Sequence, residues 1–124
     1  MKLGLTAGLI AVSAVLVGAS SFHLTLIDSR PKEGAVLAES PPEIWLRFNQ
    51  PLDIGKCGIG VRGPTGAVEL AKPALADSVS MSAKFSATLA PGEYTVSWLG
   101  TPINDHAVRG RYKFTVGEDG AIRR

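Results

Sequence analysis

Cysteine is nearly absent from this chain: Cys57 is the single one in 124 residues. No intrachain disulfide can form, so stability must come from a packed core. A lone cysteine reads first as a small, buried apolar residue. Its neighbours Gly55, Lys56 and Gly58 supply no second metal ligand. Methionine is scarce too, with Met1 and Met81 alone. Soft thioether clusters select Cu(I), so that chemistry has no support. Met81 reads as a core or strand residue. Charge of one sign is also lacking. The formal net charge is +2, which gives no electrostatic footprint for nucleic acid. Arg109, Arg111, Arg123 and Arg124 gather near the C-terminus. They read as a solvated strand face and a loose tail.

The one long apolar run is at the start. Met1-Lys2 is a short positive opening, and Leu3 to Val17 is almost wholly apolar. The small residues Gly18-Ala19-Ser20-Ser21 follow. That order is the order of a secretory signal peptide. The run is shorter than the ~20 residues a spanning helix needs. Residues 1–22 are therefore expected to be a leader, cut between 19 and 22. Small residues before the cut favour cleavage after Ala19 or Ser21. Cleavage before His23 would leave Phe22 at that position. Residues 23–117 are expected to form one domain, and 118–124 a flexible tail. The chain is expected to be exported.

No stretch after the leader has a helical period. The alternation is that of β-strands, whose successive side chains face opposite ways. Ile44, Leu46 and Phe48 alternate with Trp45 and Arg47. Tyr94 to Trp98 alternates again, as does Val108 to Val116, with Arg109, Arg111, Lys113 and Thr115 on the polar side. Weaker strands are expected at Leu24–Ile27, Gly58–Val61, Ala67–Leu70, Ser78–Ser82 and Ala83–Thr88. Breakers separate them: Pro31-Lys32-Glu33-Gly34, Pro41-Pro42, Gly63-Pro64-Thr65-Gly66 and Pro91-Gly92. Short strands at this spacing predict an all-β sandwich or barrel.

Histidine is the other rarity, and the informative one. His23 follows the leader and His106 stands in Asn104-Asp105-His106, just before the last strand. Histidine is the commonest side-chain metal ligand, well suited to Cu(II) and Zn(II). No Ser-His-Asp arrangement is visible, and a histidine-brace oxidase would lack a recognisable substrate surface. The chain is read as a binder, not an enzyme. Trp45 is either exposed as a partner mark or packed under a loop. Trp98 is expected in the core, beneath the histidine loop. Asp28, Glu33 and Asp53 are expected in or near turns.

Taken in order, these elements resemble the CopC family of periplasmic copper-binding proteins. The opening His23-Leu24-Thr25-Leu26-Ile27-Asp28-Ser29-Arg30-Pro31-Lys32-Glu33-Gly34 is similar to the family's histidine, alternating strand and Ser-x-Pro-x-x-Gly. Pro42 to Phe48 resembles its second strand, and Leu89 to Trp98 its L-x-x-G-x-Y-x-V-x-W strand. His106 falls where the family has its second histidine, and Gly110 to Val116 resembles the closing strand. The resemblance implies a seven-stranded, immunoglobulin-like Greek-key sandwich. It implies one Cu(II) ion held by the first histidine (through α-amine and ring), an aspartate and the second histidine. It also implies copper homeostasis or resistance, with a CopD-like inner-membrane partner, by a monomer. The chain departs from the pattern at the aspartate. The family's Asp-x-His is here Asn104-Asp105-His106, so the metal candidates are His23, His106, Asn104 and Asp105. In extended chain Asp105 would point away from a metal bound by His106. Asn104 offers a neutral carbonyl oxygen. Arg47 stands where a methionine-rich member carries a histidine.

Overall fold

The computed structural model describes residues 23–117. The expected leader (1–22) and tail (118–124) lie outside the described residues. Nine strands run in chain order: β1 (Leu26–Arg30), β2 (Val36–Leu37), β3 (Glu43–Phe48), β4 (Gly58–Gly63), β5 (Gly66–Val68), β6 (Ala74–Asp77), β7 (Ser80–Lys84), β8 (Gly92–Gly100) and β9 (Val108–Val116). A single 3₁₀ turn, Ile54–Lys56, is the helical element among the described residues. Seven strands have four residues or more; β2 and β5 are the two short additions. The all-β sandwich read from the sequence is the architecture found.

Four strands form one sheet in the order β1-β3-β7-β6, and five form the other in the order β2-β9-β8-β4-β5. The three strongly alternating segments became β3, β8 and β9. Ile44, Leu46 and Phe48 of β3 face inward with Met81 and Ala83 of β7. Val61, Tyr94, Val96, Tyr112, Phe114 and Val116 face them from the five-stranded sheet. Each such burial is worth about 1.5–3 kcal/mol relative to exposure, and together they close the two layers. Tyr94 and Phe114 stack at 5.4 Å, and the Tyr94 hydroxyl donates to the Ala90 carbonyl four residues upstream. Met81 is fully buried, as its sequence context implied.

The weaker strands shifted. The segment expected at Ser78–Ser82 begins at Ser80, because Asp77 Oδ1 accepts the Val79 N–H (2.9 Å) and folds residues 77–79 into a turn. No strand spans Ala83–Thr88; β7 ends at Lys84 and Phe85 makes one bridge to Leu70. Two strands went unforeseen. β6 has no apolar alternation and is wholly exposed at a sheet edge. β2 is two residues long and pairs in parallel with the end of β9. Trp45 is half-buried, and the Arg30 guanidinium lies 4.3 Å above its ring. Asp28 lies within β1, near the turn that follows it, where it meets Lys32. Its carboxyl is held below the usual range, first by the Lys32 ammonium at 2.8 Å and then by the Ser29 N–H.

Candidate metal centre

The start of β1, the end of β3, the end of β8 and the starts of β4 and β9 meet at one end of the sandwich. Register requires this within each sheet: Leu26 pairs with Phe48, Gly58 with Leu99, and Gly100 with Val108. Across the sheets, Phe48 meets Trp98 edge to face at 5.1 Å. Leu24 lies so near Gly100 that a Cβ there would stand 2.8 Å from Leu24 Cδ2. Trp98 thus supports this end as expected, and it needs Gly110 opposite it. A Cβ on Gly110 would fall 2.2 Å from the indole.

Asn49, the residue after β3, ties down the segment that carries His23. Its Nδ2 donates to the His23 carbonyl (3.0 Å), and its Oδ1 accepts the Thr25 N–H (2.9 Å). The Asn49 N–H donates to the Thr25 carbonyl (3.1 Å). The Thr25 hydroxyl donates to the His23 carbonyl (3.3 Å). Two residues on, the Pro51 carbonyl accepts the Ile103 N–H (3.2 Å), and Leu52 bridges Pro102. Hydrogen bonds at Asn49 and at Pro51, two residues apart in the chain, therefore link the His23 segment to the loop that carries His106.

That loop is a turn. Asp105 N–H donates to the Pro102 carbonyl (3.3 Å). Asn104 adopts a left-handed conformation with φ 63°, which asparagine tolerates better than most residues. Asp105 Oδ1 accepts the His106 N–H at 2.7 Å. His23, Asn104, Asp105 and His106 are all exposed. Among the described residues, no three His, Cys, Asp or Glu side chains gather where they could hold a metal ion. The fold brings the two histidine-bearing segments to one end without adding a third such side chain.

Cys57 stays outside this donor set. The thiol donates to the Asp53 carbonyl (3.3 Å) and its sulfur accepts the Thr101 N–H (3.4 Å). Burial pushes the thiol's pKa up, and the Asp53 charge adds to this against the Thr101 N–H. Thr101, itself buried, also donates from its hydroxyl to the Lys56 carbonyl (2.6 Å). Asn49 and Thr101 are the residues that sequence reasoning missed. Asn49 offered only its place as the first polar residue after an alternating run.

A β-sandwich with a histidine-bearing strand entry and a histidine-bearing loop at one end is the class of molecule defined here. Residues 26–117 match the CopC domain. The chain belongs to the CopC family. The match includes Asn104, Asp105 and His106, and His23 lies just before it. Protein YobA of Escherichia coli K12 is 28% identical over 97 residues, covering 76% of this chain and 78% of that protein. CopC from Methylosinus trichosporium OB3b shares the fold with a TM-score of 0.69 and 28% identity, over 78% of this chain and 96% of that one. PcoC, a methionine-rich copper resistance protein from Escherichia coli, aligns with a TM-score of 0.68 and 29% identity, over 76% of this chain and 98% of that one. With Met1 and Met81 alone, this chain does not share PcoC's richness in methionine.

Proposed function

We propose that this protein binds one Cu(II) ion through the imidazoles of His23 and His106 and buffers or delivers it in the periplasm. The observation that carries this reading is the hydrogen-bonded link from His23 through Asn49 and Pro51 to the His106 loop. Imidazole nitrogens and a nearby oxygen donor suit the tetragonal preference of Cu(II). Asn104 through its side-chain carbonyl, or Asp105 through the oxygen not engaged with His106 N–H, would supply that oxygen. If maturation leaves His23 first, its α-amine would add a chelating nitrogen. Copper is cargo in this reading, and a CopD-like inner-membrane protein is the recipient or donor that the family suggests. No helix among the described residues is long and apolar enough to cross a membrane.

A second reading has its own support. Asp105 is turned toward its neighbour's backbone, and no three-side-chain cluster exists among the described residues. On that reading the chain is a CopC module with a degenerate metal site that acts as an interaction domain.

A native mass spectrum of the exported protein with one equivalent of Cu(II) separates the two. One retained copper, lost in His106→Ala and in His23→Ala, is the expected result. Equal retention in both variants, or no retention in the parent, would end the two-histidine reading. Asn104→Asp should tighten binding if that residue faces the metal.

A further inference from the structure

The outer face of the five-stranded sheet carries a feature unrelated to the histidines. The registers of β4, β8 and β9 set its side chains in cross-strand rows. Arg109, Leu99 and Gly58 form one row; Arg111, Ser97 and Gly60 the next; Lys113, Thr95 and Arg62 a third. Neighbouring strands lie about 4.8 Å apart, and same-face residues along a strand about 7 Å apart. The result is a trough with arginines on the β9 side, Arg62 at one end, a floor of Gly58, Gly60 and Ser97, and Leu99, Ile59 and Trp98 lining the end near Arg109. One depression here holds about 520 Å³, and two more continue from it along the same face. Arg111 lines all three.

Two independent observations mark this trough as built for a partner. The first is charge. Among the described residues, Arg62, Arg109 and Arg111 make no ion pair, while Lys113 takes Glu93 at 3.5 Å. Glu33, at the far margin, is the other acid lining these depressions. No acidic side chain stands directly opposite any of the three in the register, so their charges are open to an outside partner. The second is Gly60. A Cβ there would meet nothing within 4 Å, and its φ lies outside the left-handed range. Neither packing nor backbone geometry asks for glycine in this strand interior. A strand glycine without a local cause marks a place where another backbone or a ligand comes close.

We propose that this trough docks an acidic, extended peptide segment of a partner protein. Arginine forks match carboxylates in paired geometry, and the glycine floor lets a second backbone lie against the sheet. The apolar residues that line one end of the trough, Leu99, Ile59 and Trp98, are only half-exposed, and no large exposed apolar side chain stands there ready to enter a lipid layer, which favours a peptide over a membrane surface. The proposal is independent of the copper reading.

The test uses the exported chain and a fluorescein-labelled peptide of alternating Glu and Ser, followed by fluorescence anisotropy. Saturable binding that weakens as salt rises is expected. Arg111→Glu should weaken it by about ten-fold. Lys84→Glu, the same charge change on the other sheet, should leave it within about two-fold. Gly60→Leu keeps the charge and should still weaken binding several-fold by filling the floor. Arg111→Gln, a neutral swap at an exposed site, serves if the charge reversal does not fold. Equal losses in Arg111→Glu and Lys84→Glu would reduce the effect to net charge and overturn the trough. Unchanged binding in Gly60→Leu would overturn it too. Sedimentation with phosphatidylglycerol vesicles, without peptide binding, would replace the peptide by a lipid surface.

Discussion

The body of the sandwich and the outer segments of its histidine-bearing end are held by different forces. The body is held by apolar side chains: Ile44, Leu46, Phe48, Met81, Val96 and Phe114 are almost wholly removed from water. The end rests on the packing of Leu24, Phe48 and Trp98, and its outer segments are fastened by hydrogen bonds to backbone that involve the exposed Asn49 and Asp105 and the buried Thr101. Burial is cooperative and tolerant of small errors in placement. Polar ties at the surface are individually weak, about 0.5–1.5 kcal/mol each, but they fix direction. A binding site for a small cation needs direction more than it needs stability, and this chain keeps the two in separate places.

That division can be broken from the body outward. Phe48→Ala removes a fully buried ring from beneath the histidine end and should cost about 3–5 kcal/mol, read as a lowered denaturant midpoint. Any copper binding should then be lost only in step with unfolding. If binding vanished while the body stayed folded, the two regions would not be separate. Alkaline pH offers a gentler probe of the body. Burial raises the Tyr112 phenol from its ordinary 10 to about 12, with the neighbouring Ser29 side chain opposing. The unfolded chain ionises near 10 and the folded one near 12. Stability is therefore complete below pH 10 and declines as pH climbs toward 12, by on the order of 2 kcal/mol. Tyr112→Phe should remove most of that slope in thermal melts across the window.

At the end itself, Asn49→Ala should cost only about 1 kcal/mol of stability. If the histidine site is real, it should disturb the Cu(II) spectrum or affinity far more than that loss suggests. An unchanged copper electron-paramagnetic spectrum would show that Asn49 has no hold on the site. The smallest effect is expected back in the body. Ser80 Oγ is buried with no hydrogen-bond partner among the described residues. Ser80→Ala should be neutral or stabilising by up to about 1 kcal/mol, and a clear loss would mean that the hydroxyl is used.

The same division explains what could be read from the chain. β3, β8 and β9 were legible because one buried face imposes a period of two on Ile44–Phe48, Tyr94–Trp98 and Val108–Val116. β6 was not, because an exposed edge strand imposes no period on Ala74–Asp77. The candidate ligands were legible as residue types, since two histidines stand out in any chain. Their surroundings were not. Asn49 finds its partners 24 and 26 residues earlier, and no local pattern reports so distant a tie. That Asp105 would bond the His106 N–H depends on the left-handed residue before it. Arg109 and Arg111 were legible as an exposed face. Their alignment with Arg62, two strands away, follows only from register.

The thiol of Cys57 carries a last consequence, one of handling and ageing. Only the thiolate attacks a disulfide or takes up an oxidant, and here burial, the Asp53 charge and the hydrogen bond the thiol donates to the Asp53 carbonyl favour the protonated form, outweighing the Thr101 N–H. The chain's one cysteine is therefore a slow reagent. Solutions left in air should darken no gel lane at twice the monomer's mass.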